Sequence, residues 1–343
     1  MKIALSWNEL PKYAAYPLAE IIKYNPKLEI ISIKSKLPIN NLENILKKKI
    51  HWVENEYLKW EDLELEVPQI YFQAGWYKKS FSSLGKEVKQ NGGKVILLSD
   101  NSFKNNLRQL IGSVVYRYNY LSYFDRVWVP GASGEKLMRF YGVPQEKIFK
   151  GLYCSNKKIF KKGVKISKRP KTFLFVGKLI QEKGFKELVS AFKIFFNKNE
   201  DWKLIIVGNG PLKKIIPKHK SIEYLSFKTP EEIANLMRKS RFLVLPSYSD
   251  HWPLVVNEAT LCGCGLILSS VVGNIPELSN NKNSIIFKPR SFESLLRAID
   301  KSTELSKIDL DNMYKNSIHL SSNYSTNDWV VKFESIIRSV HSS

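Results

Sequence analysis

The 343-residue chain is 43% hydrophobic, which excludes a disordered protein and provides for one or two buried cores. Its 54 Lys and Arg residues against 32 Asp and Glu residues give a net charge of +22, which indicates either polyanionic partners or a bias in base composition. The 3 cysteines argue against a disulfide framework or a zinc site, so we expect a reducing, cytosolic location.

Short apolar runs rich in β-branched residues alternate with helical patterns along the chain. The predicted strands are residues 2–7, 70–73, 94–99 and 126–129 in the first half, and 172–176, 203–207, 222–227, 241–245 and 265–268 in the second. The predicted helices of the second half are residues 185–196, 229–239, 253–262 and 291–300. This alternation predicts an α/β protein with parallel sheets, whose ligands bind at the carboxyl ends of the strands.

A basic segment, residues 157–171, is predicted as a linker between two halves of the chain. We therefore expect a Rossmann-like domain over residues 1–165 and a second one over residues 166–322, facing each other across a central cleft. Apolar residues at helical spacing predict a final amphipathic helix within residues 323–343.

Residues 103–124 mix apolar and aromatic side chains with Lys104, Arg108 and Arg117 and contain no acidic residue. Two interpretations stay open for this segment. It is either a buried helix whose cations reach the surface, or a surface helix that docks on an anionic bilayer.

The loop after residues 172–176 has the composition of an anion site. Gly177 allows a ligand to approach the backbone, and Lys178 and Lys183 place two cations before a helix that begins near residue 185. The Gly-Asn-Gly-Pro motif, residues 208–211, follows the next strand and is by itself typical of a plain turn. An ordinary turn with solvated lysines is the alternative for both loops.

The most informative stretch is residues 245–259, where a buried strand is followed by a polar loop and then an apolar helix. Pro253 is predicted in the first helical turn, so the N–H groups of Leu254 and Val255 lack helical partners and point to the strand ends. Glu258 lies one turn further on, where a ribose diol would be a suitable partner for its carboxylate, and Asp250 precedes it by eight positions. A capped helix with two surface acids is the alternative.

Other patterns do not predict a catalytic set or a metal site. The Cys-Gly-Cys-Gly motif, residues 262–265, is typical of close packing between a helix and the next strand. Asp309 and Asp311 resemble a metal motif in letters only, and we interpret them as the edge of a solvated helix.

In this order the motifs resemble glycosyltransferase family 4, the group 1 glycosyltransferases of the GT-B fold, and the resemblance is strong over residues 170–300. The final helix with Trp329 is similar to the family's C-terminal helix, which crosses back to the N-terminal domain. In the first half, Ser99-Asp100, Val129-Pro-Gly131 and residues 151–156 resemble a subset of the family, and Asp100 would lie on the acceptor side.

The resemblance implies a nucleotide-sugar donor linked to UDP, GDP or ADP, with no metal or other cofactor, and retention of the anomeric configuration. Lys178 and Lys183 would hold the diphosphate, and Glu258 the ribose. Asp250 replaces the first Glu of the family's Glu-x7-Glu pair and would face the sugar.

Ser226 and Phe227 fall where the family contacts the base. The acceptor would be a glycan or a lipid-linked glycan, and the location cytoplasmic or peripheral at the inner face of the membrane. Two alternatives stay open: a non-enzymatic protein that binds nucleic acid or an anionic membrane, and another GT-B enzyme such as a nucleotide-sugar epimerase. The lack of a nucleic-acid module in the sequence favours a partner other than nucleic acid.

Overall fold

The computed structural model describes residues 1–34 and 41–341, which form two compact units. The N-terminal unit comprises residues 1–154 with residues 326–343, and the C-terminal unit comprises residues 155–325. Both contain a parallel sheet of the Rossmann type, as predicted. The divisions fall at 154/155 and 325/326, whereas the sequence suggested 165/166 and 322/323.

The sheet of the N-terminal unit has seven parallel strands in the order β3-β2-β1-β4-β5-β6-β7. They are β1 Ile3–Asn8, β2 Leu28–Ile33, β3 His51–Val53, β4 Ile70–Ala74, β5 Lys94–Leu98, β6 Arg126–Val129 and β7 Ile148–Lys150. The strand order reverses at β1, which pairs with β2 on one side and β4 on the other. This reversal leaves a crevice at the carboxyl ends of β1 and β4.

Among the described residues, this unit has five α-helices before the C-terminal unit begins, and a sixth at the end of the chain. The first five are α1 Lys12–Tyr24, α2 Leu42–Leu46, α3 Lys79–Gln90, α4 Leu107–Asn119 and α5 Ala132–Phe140. Helix α4 occupies the middle of the segment that was predicted as either a core helix or a membrane-docking helix, and its apolar residues are largely exposed. The core-helix interpretation is therefore wrong for this face of α4.

The C-terminal unit has six parallel strands in the order β10-β9-β8-β11-β12-β13. They are β8 Thr172–Val176, β9 Lys203–Val207, β10 Ile222–Leu225, β11 Phe242–Leu245, β12 Gly265–Ser269 and β13 Ser284–Phe287. The strand order reverses at β8, between β9 and β11. The segments that follow β8 and β11 carry most of the predicted site residues.

The helices of the C-terminal unit are α6 Phe185–Phe195, α7 Pro230–Lys239, α8 Leu254–Leu261, α9 Ile275–Leu278, α10 Phe292–Thr303 and α11 Lys307–Ser321. Thr229 and Glu232 form a capping box at the start of α7, because each side chain binds a backbone N–H of the other residue. Pro253 lies outside α8, as its N-cap residue, and not in its first turn as the sequence suggested.

The predicted linker is part of the C-terminal unit. Ile166 and Arg169 are buried, and the N–H of Gly163 donates to the carbonyl of Cys262 at 3.1 Å. The hydroxyl of Tyr314 donates to the carbonyl of Gly163 at 2.9 Å. The basic composition of the segment did not indicate these contacts. Its lysines are exposed, whereas Arg169 and a few apolar side chains are buried and hold the segment in place.

The final helix, α12 Thr326–His341, completes the core of the N-terminal unit. Phe333 stacks on Phe72 with 4.5 Å between ring centroids, and Trp329 packs against Trp128 at 4.7 Å. The indole N–H of Trp329 also donates to the carbonyl of Leu152 at 2.8 Å. Over residues 1–34 and 41–341, no helix has the length and apolar character needed to cross a membrane.

Candidate active site

Three loops meet at the carboxyl ends of β8, β9 and β11. The N–H of Gly177 donates to the carbonyl of Val207 at 3.0 Å, and the N–H of Leu179 donates to the carbonyl of Asn209 at 2.9 Å. Gly208 has a φ of +140°, and a Cβ atom there would overlap the carbonyl oxygen of Gly177. Glycine at this position therefore lets the two loops touch, which a larger residue would prevent.

The first loop brings a cation and a helix start to the same edge of the sheet. Gly184, with a φ of +64°, lies against the carbonyl of Pro246 at the end of β11, and α6 begins at the next residue. Lys178 is exposed and has no ion pair with any residue in the described part of the chain. It is thus available to an anionic ligand.

Lys183 is paired with Asp250. The ammonium group contacts the Asp250 carboxylate, and the two side chains are 26% and 13% exposed, respectively. The backbone of Asp250 is fixed as well, since its carbonyl accepts the N–H of Gly273 at 2.8 Å. This places the third loop beside the first and leaves the pair partly open to solvent.

The start of α8 points two free backbone donors toward this edge. The N–H groups of Leu254 and Val255 have no partner among the described residues, and both residues are partly exposed. The side-chain amide of Asn274 donates to the carbonyl of Pro253 at 3.0 Å and so fixes the entry to the helix. Asn274 is fully buried, and the sequence did not indicate a role for its side chain.

Glu258 lies one turn into α8. It is partly exposed, and its carboxyl group has no hydrogen bond or ion pair with a described residue. Burial raises the pKa of Glu258 to about 7, because the charged form loses solvation and gains no partner in return. Such a group is a candidate for ligand binding.

Ser226 and Phe227 lie further along the same edge, directly after β10. Both are exposed, and Phe227 is 84% exposed, which leaves its ring face uncovered. Trp252 lies on the other side of the edge, where it is buried against Tyr324 with 5.5 Å between ring centroids.

The described residues contain no group of three or more His, Cys, Asp and Glu side chains with the geometry of a metal site. Asp309 caps the start of α11 together with Ser306, and Asp311 accepts a hydrogen bond from Ser167 at 2.6 Å. Cys262 and Cys264 are buried free thiols.

The N-terminal unit has its own cavity, of about 110 Å³, at the carboxyl ends of β1, β4 and β5. Its walls include Trp7, Trp76 and Tyr153, and Asp100 lies at its rim. Burial, followed by the effect of Tyr13 and Asp100, raises the pKa of the Tyr153 hydroxyl well above its ordinary value. The cavity therefore combines aromatic walls with a carboxylate at its rim.

Comparison with known proteins agrees with this architecture. Residues 156–319 match the family Glycosyl transferases group 1. The chain is 25% identical over 66% of its length to N,N'-diacetylbacillosaminyl-diphospho-undecaprenol alpha-1,3-N-acetylgalactosaminyltransferase from Campylobacter jejuni. The alignments span 64%, 53% and 32% of the lengths of the first three curated relatives.

Solved structures share the fold over almost the whole chain. The complex of Anabaena Alr3699/HepE with UDP has a TM-score of 0.77 and 14% identity, and the match covers 99% of this chain and all of that one. A Listeria monocytogenes protein, described as a proposed UDP-N-acetylglucosamine 2-epimerase, has a TM-score of 0.66 and 13% identity over 99% of this chain and 96% of that one. Residues 156–319 therefore resemble the group 1 glycosyl transferases, and the two Rossmann-like sheets of the chain are those of the GT-B fold.

Proposed function

We propose that the protein transfers a sugar from a nucleotide-diphosphate donor to a hydroxyl group of a glycan or lipid-linked acceptor, with retention and without a metal ion. The observation that carries this proposal is the meeting of an exposed cation, free helix N–H groups and an unpartnered carboxyl group at one sheet edge of the matched family region. UDP in the complex of the Anabaena protein supports a nucleotide-linked donor.

The diphosphate would bind between Lys178, Lys183 and the N–H groups of Leu254 and Val255. When the glycosidic bond breaks, its electron pair moves to the β-phosphate oxygen, and these groups stabilise the added charge. The acceptor oxygen bonds to the anomeric carbon, and its proton passes to the departing phosphate. No other group is needed to balance this step.

Glu258 would bind the ribose hydroxyls, since an unpartnered carboxylate is a strong acceptor for two O–H donors. Phe227 offers an exposed ring against which a base can stack, and Ser226 offers a hydroxyl beside it. Gly177 leaves space for the donor to reach the backbone.

Asp250 would act on the donor side through Lys183. The ion pair holds the Lys183 ammonium group at the loop, and the same carboxylate can accept a hydroxyl of the sugar once the diphosphate attracts the lysine. The pair therefore positions a cation before the donor arrives.

The cavity at Asp100 is the proposed acceptor side. Its aromatic walls suit the apolar face of a sugar ring, and the Asp100 carboxylate can accept a hydrogen bond from a hydroxyl group. The name of the Campylobacter relative includes a diphospho-undecaprenol, which supports a lipid-linked glycan as the acceptor. The proposed location is the cytoplasm, at the inner face of the membrane.

The experiment is a thermal-shift titration with UDP, GDP and ADP, followed by the same titration with inorganic pyrophosphate. We expect one of the three nucleoside diphosphates to stabilise the protein much more than the other two. Lys183→Ala should weaken binding of that nucleotide about ten-fold or more, because a charge-assisted contact contributes roughly 1.5–3 kcal/mol, and should leave the free nucleoside unaffected. Lys193→Ala, on the exposed face of α6, is the matched control.

The two alternatives make different predictions in the same assays. A protein that binds any polyanion would respond to pyrophosphate as strongly as to each nucleotide, without base preference. An epimerase would convert the free nucleotide sugar with no acceptor present, whereas a transferase releases nucleoside diphosphate in proportion to the glycan extended. A response to pyrophosphate equal to that for each nucleotide would overturn the proposal, and so would conversion of the nucleotide sugar without an acceptor.

A further inference from the structure

Helix α4 presents its apolar side chains to solvent. The exposed apolar and aromatic residues recur at helical spacing and are Leu107, Leu110, Ile111, Val114, Val115 and Tyr118. At about 100° per residue they share one face of roughly 140°. Their exposed fractions range from 45% for Val115 to 89% for Tyr118. We call these six residues the α4 face.

Polar contacts on the opposite side of α4 fix this orientation. The buried Gln109 side chain accepts the N–H of Lys104 at 2.7 Å and donates to the carbonyl of Ser102 at 2.7 Å. Tyr116 is buried against Trp76, with 5.3 Å between ring centroids. Rotating the helix to bury the α4 face would break these contacts. The fold therefore keeps the α4 face exposed to solvent.

Positive charge borders the α4 face. Arg108 and Arg117 lie on its two edges along the helix, and Lys104 precedes it, all exposed. The 24 residues from Asn101 to Phe124 contain no acidic side chain. On the neighbouring α5, Glu135 is paired with Lys150 at 2.9 Å, while Lys136 lies over the Phe103 ring.

We propose that the α4 face docks on an anionic lipid bilayer. Apolar side chains flanked by cations match the chemistry of a bilayer interface, where acyl chains lie below negative headgroups. The stripe spans about 16 Å along the helix, enough to lie in the interface and too short to cross it. A second copy of this chain is a poor occupant, since it would bring the same cations face to face at a net charge of +22 each.

Docking would hold the N-terminal unit, with its Asp100 cavity, at the surface that carries a lipid-linked acceptor. This use of the surface rests on the proposed function, but binding to vesicles does not. The two ideas can therefore fail separately, because vesicle binding is measured without donor or acceptor.

The experiment is co-sedimentation of the full chain with vesicles of phosphatidylcholine alone or with about 30% phosphatidylglycerol, at low and high salt. We expect the protein to sediment with the anionic vesicles at low salt, to lose most of this binding at high salt, and to ignore the neutral vesicles. Replacing Leu110, Ile111 and Val114 by Gln should lower the affinity about ten-fold or more. Their exposure means that the fold should tolerate the change.

Two control variants separate the α4 face from general effects. Replacing Ile194, Ile308 and Val331 by Gln removes three exposed apolar side chains elsewhere and should leave binding unchanged. Replacing Lys104, Arg108 and Arg117 by Gln should weaken binding more than replacing the exposed Lys193, Lys239 and Lys301 by Gln, although both changes lower the net charge equally.

Three results would overturn the proposal. The first is no sedimentation at low salt. The second is equal loss of binding in the α4 and control variants, which would leave only nonspecific charge attraction. The third is self-association in analytical ultracentrifugation that the α4 Gln variant abolishes while its vesicle binding persists, which would assign the face to a second copy of the chain.

Discussion

The folded C-terminal unit favours the protonated form of the Glu258 carboxyl group. Its raised pKa, about 7 against an ordinary value of 4.5, results from burial without a partner. The folded state therefore binds the proton more tightly than the unfolded state. Stability linked to this group is fully present below about pH 4.5 and is lost as the pH rises toward 7.

Glu258→Gln should consequently stabilise the ligand-free protein at pH 8 by about 1–3 kcal/mol and have little effect at pH 4.5. The same substitution should weaken binding of the donor, since ribose hydroxyls bind the ionised carboxylate more strongly than a neutral amide. The affinity of the wild-type protein for its nucleotide should rise more steeply between pH 6 and 8 than that of the variant, in which only the terminal phosphate still titrates, and the variant's affinity should be lower. Urea unfolding at pH 4.5 and 8 measures the effect on stability, and nucleotide titration at pH 6 and 8 measures the effect on affinity. A variant that is less stable at pH 8 would instead make Glu258 a structural residue.

Lys183 and Asp250 illustrate what spacing alone could not predict. The sequence assigned them separate roles, one at the diphosphate and one at the sugar. The structure pairs their side chains, because the N–H of Tyr248 on the third loop donates to the carbonyl of Glu182 on the first at 2.8 Å and holds the two loops together. A contact between residues 67 positions apart depends on the strand order, which local patterns do not give.

Among the elements, the ends of α7 and α8 depend on one buried arginine. The guanidinium of Arg169 donates to the carbonyls of Met237 at 3.1 Å, Ser240 at 2.8 Å and Cys262 at 2.8 Å. These carbonyls end the two helices, where backbone acceptors lack helical partners and the helix dipoles are negative. Arg169 also donates to the carbonyl of Val164 at 2.8 Å, which ties the entry segment to both helices.

Arg169→Met should destabilise the C-terminal unit by about 3–5 kcal/mol, since several buried carbonyls would lose their donor. Arg169→Lys should recover only part of the lost stability, because one ammonium group cannot reach all the carbonyls that the planar guanidinium group binds. The exposed neighbour Lys168→Met is the control and should change stability by less than about 0.5 kcal/mol. Urea unfolding measures all three. Equal effects of Arg169→Met and Lys168→Met would contradict the role of Arg169.

Elements with strong local signals were predictable. Strand β8 matches its predicted bounds, as does β9, because both are buried β-branched or aromatic runs between turn residues. Four strands were missed: β2, β3, β7 and β13. Strands β3, β7 and β13 are short and lie at the edges of their sheets, whereas β2 is a six-residue strand inside its sheet. The role of Arg169 was also missed, because a lone arginine in a basic segment looks solvated until the fold buries it.

For the candidate site, the glycines, the lysines and Glu258 could be located from their positions after strands. The role of the buried Asn274 could not, because it depends on a contact between distant segments. Sequence patterns mark where a strand ends, and only the folded chain decides which side chains meet there.

At the scale of the whole molecule, the C-terminal unit is one continuous stretch, whereas the N-terminal unit is built from two. The crossing points lie together, because Ser155 and Ser325 form a parallel β-bridge. The chain therefore enters and leaves the C-terminal unit at neighbouring positions.

Residues 155–325 expressed alone should fold cooperatively and keep their nucleotide affinity. Residues 1–154 alone should aggregate, because without α12 the buried faces of Phe72 and Trp128 lose Phe333 and Trp329. Joining residue 154 to 326 through a short Gly-Ser linker should restore a folded N-terminal unit. Circular dichroism melting of the three chains tests this, and a stable, monomeric 1–154 chain would show that α12 is dispensable.

The place of α12 in the chain also affects synthesis on the ribosome. Its residues emerge only after residues 155–325 have been translated, which takes roughly 10–30 s at about 5–20 residues per second. Throughout that interval the nascent N-terminal sheet lacks the helix that covers Phe72 and Trp128, so we expect chaperones to bind it. Slow codons within residues 155–325 would lengthen this exposure, whereas slow codons before residue 155 would not.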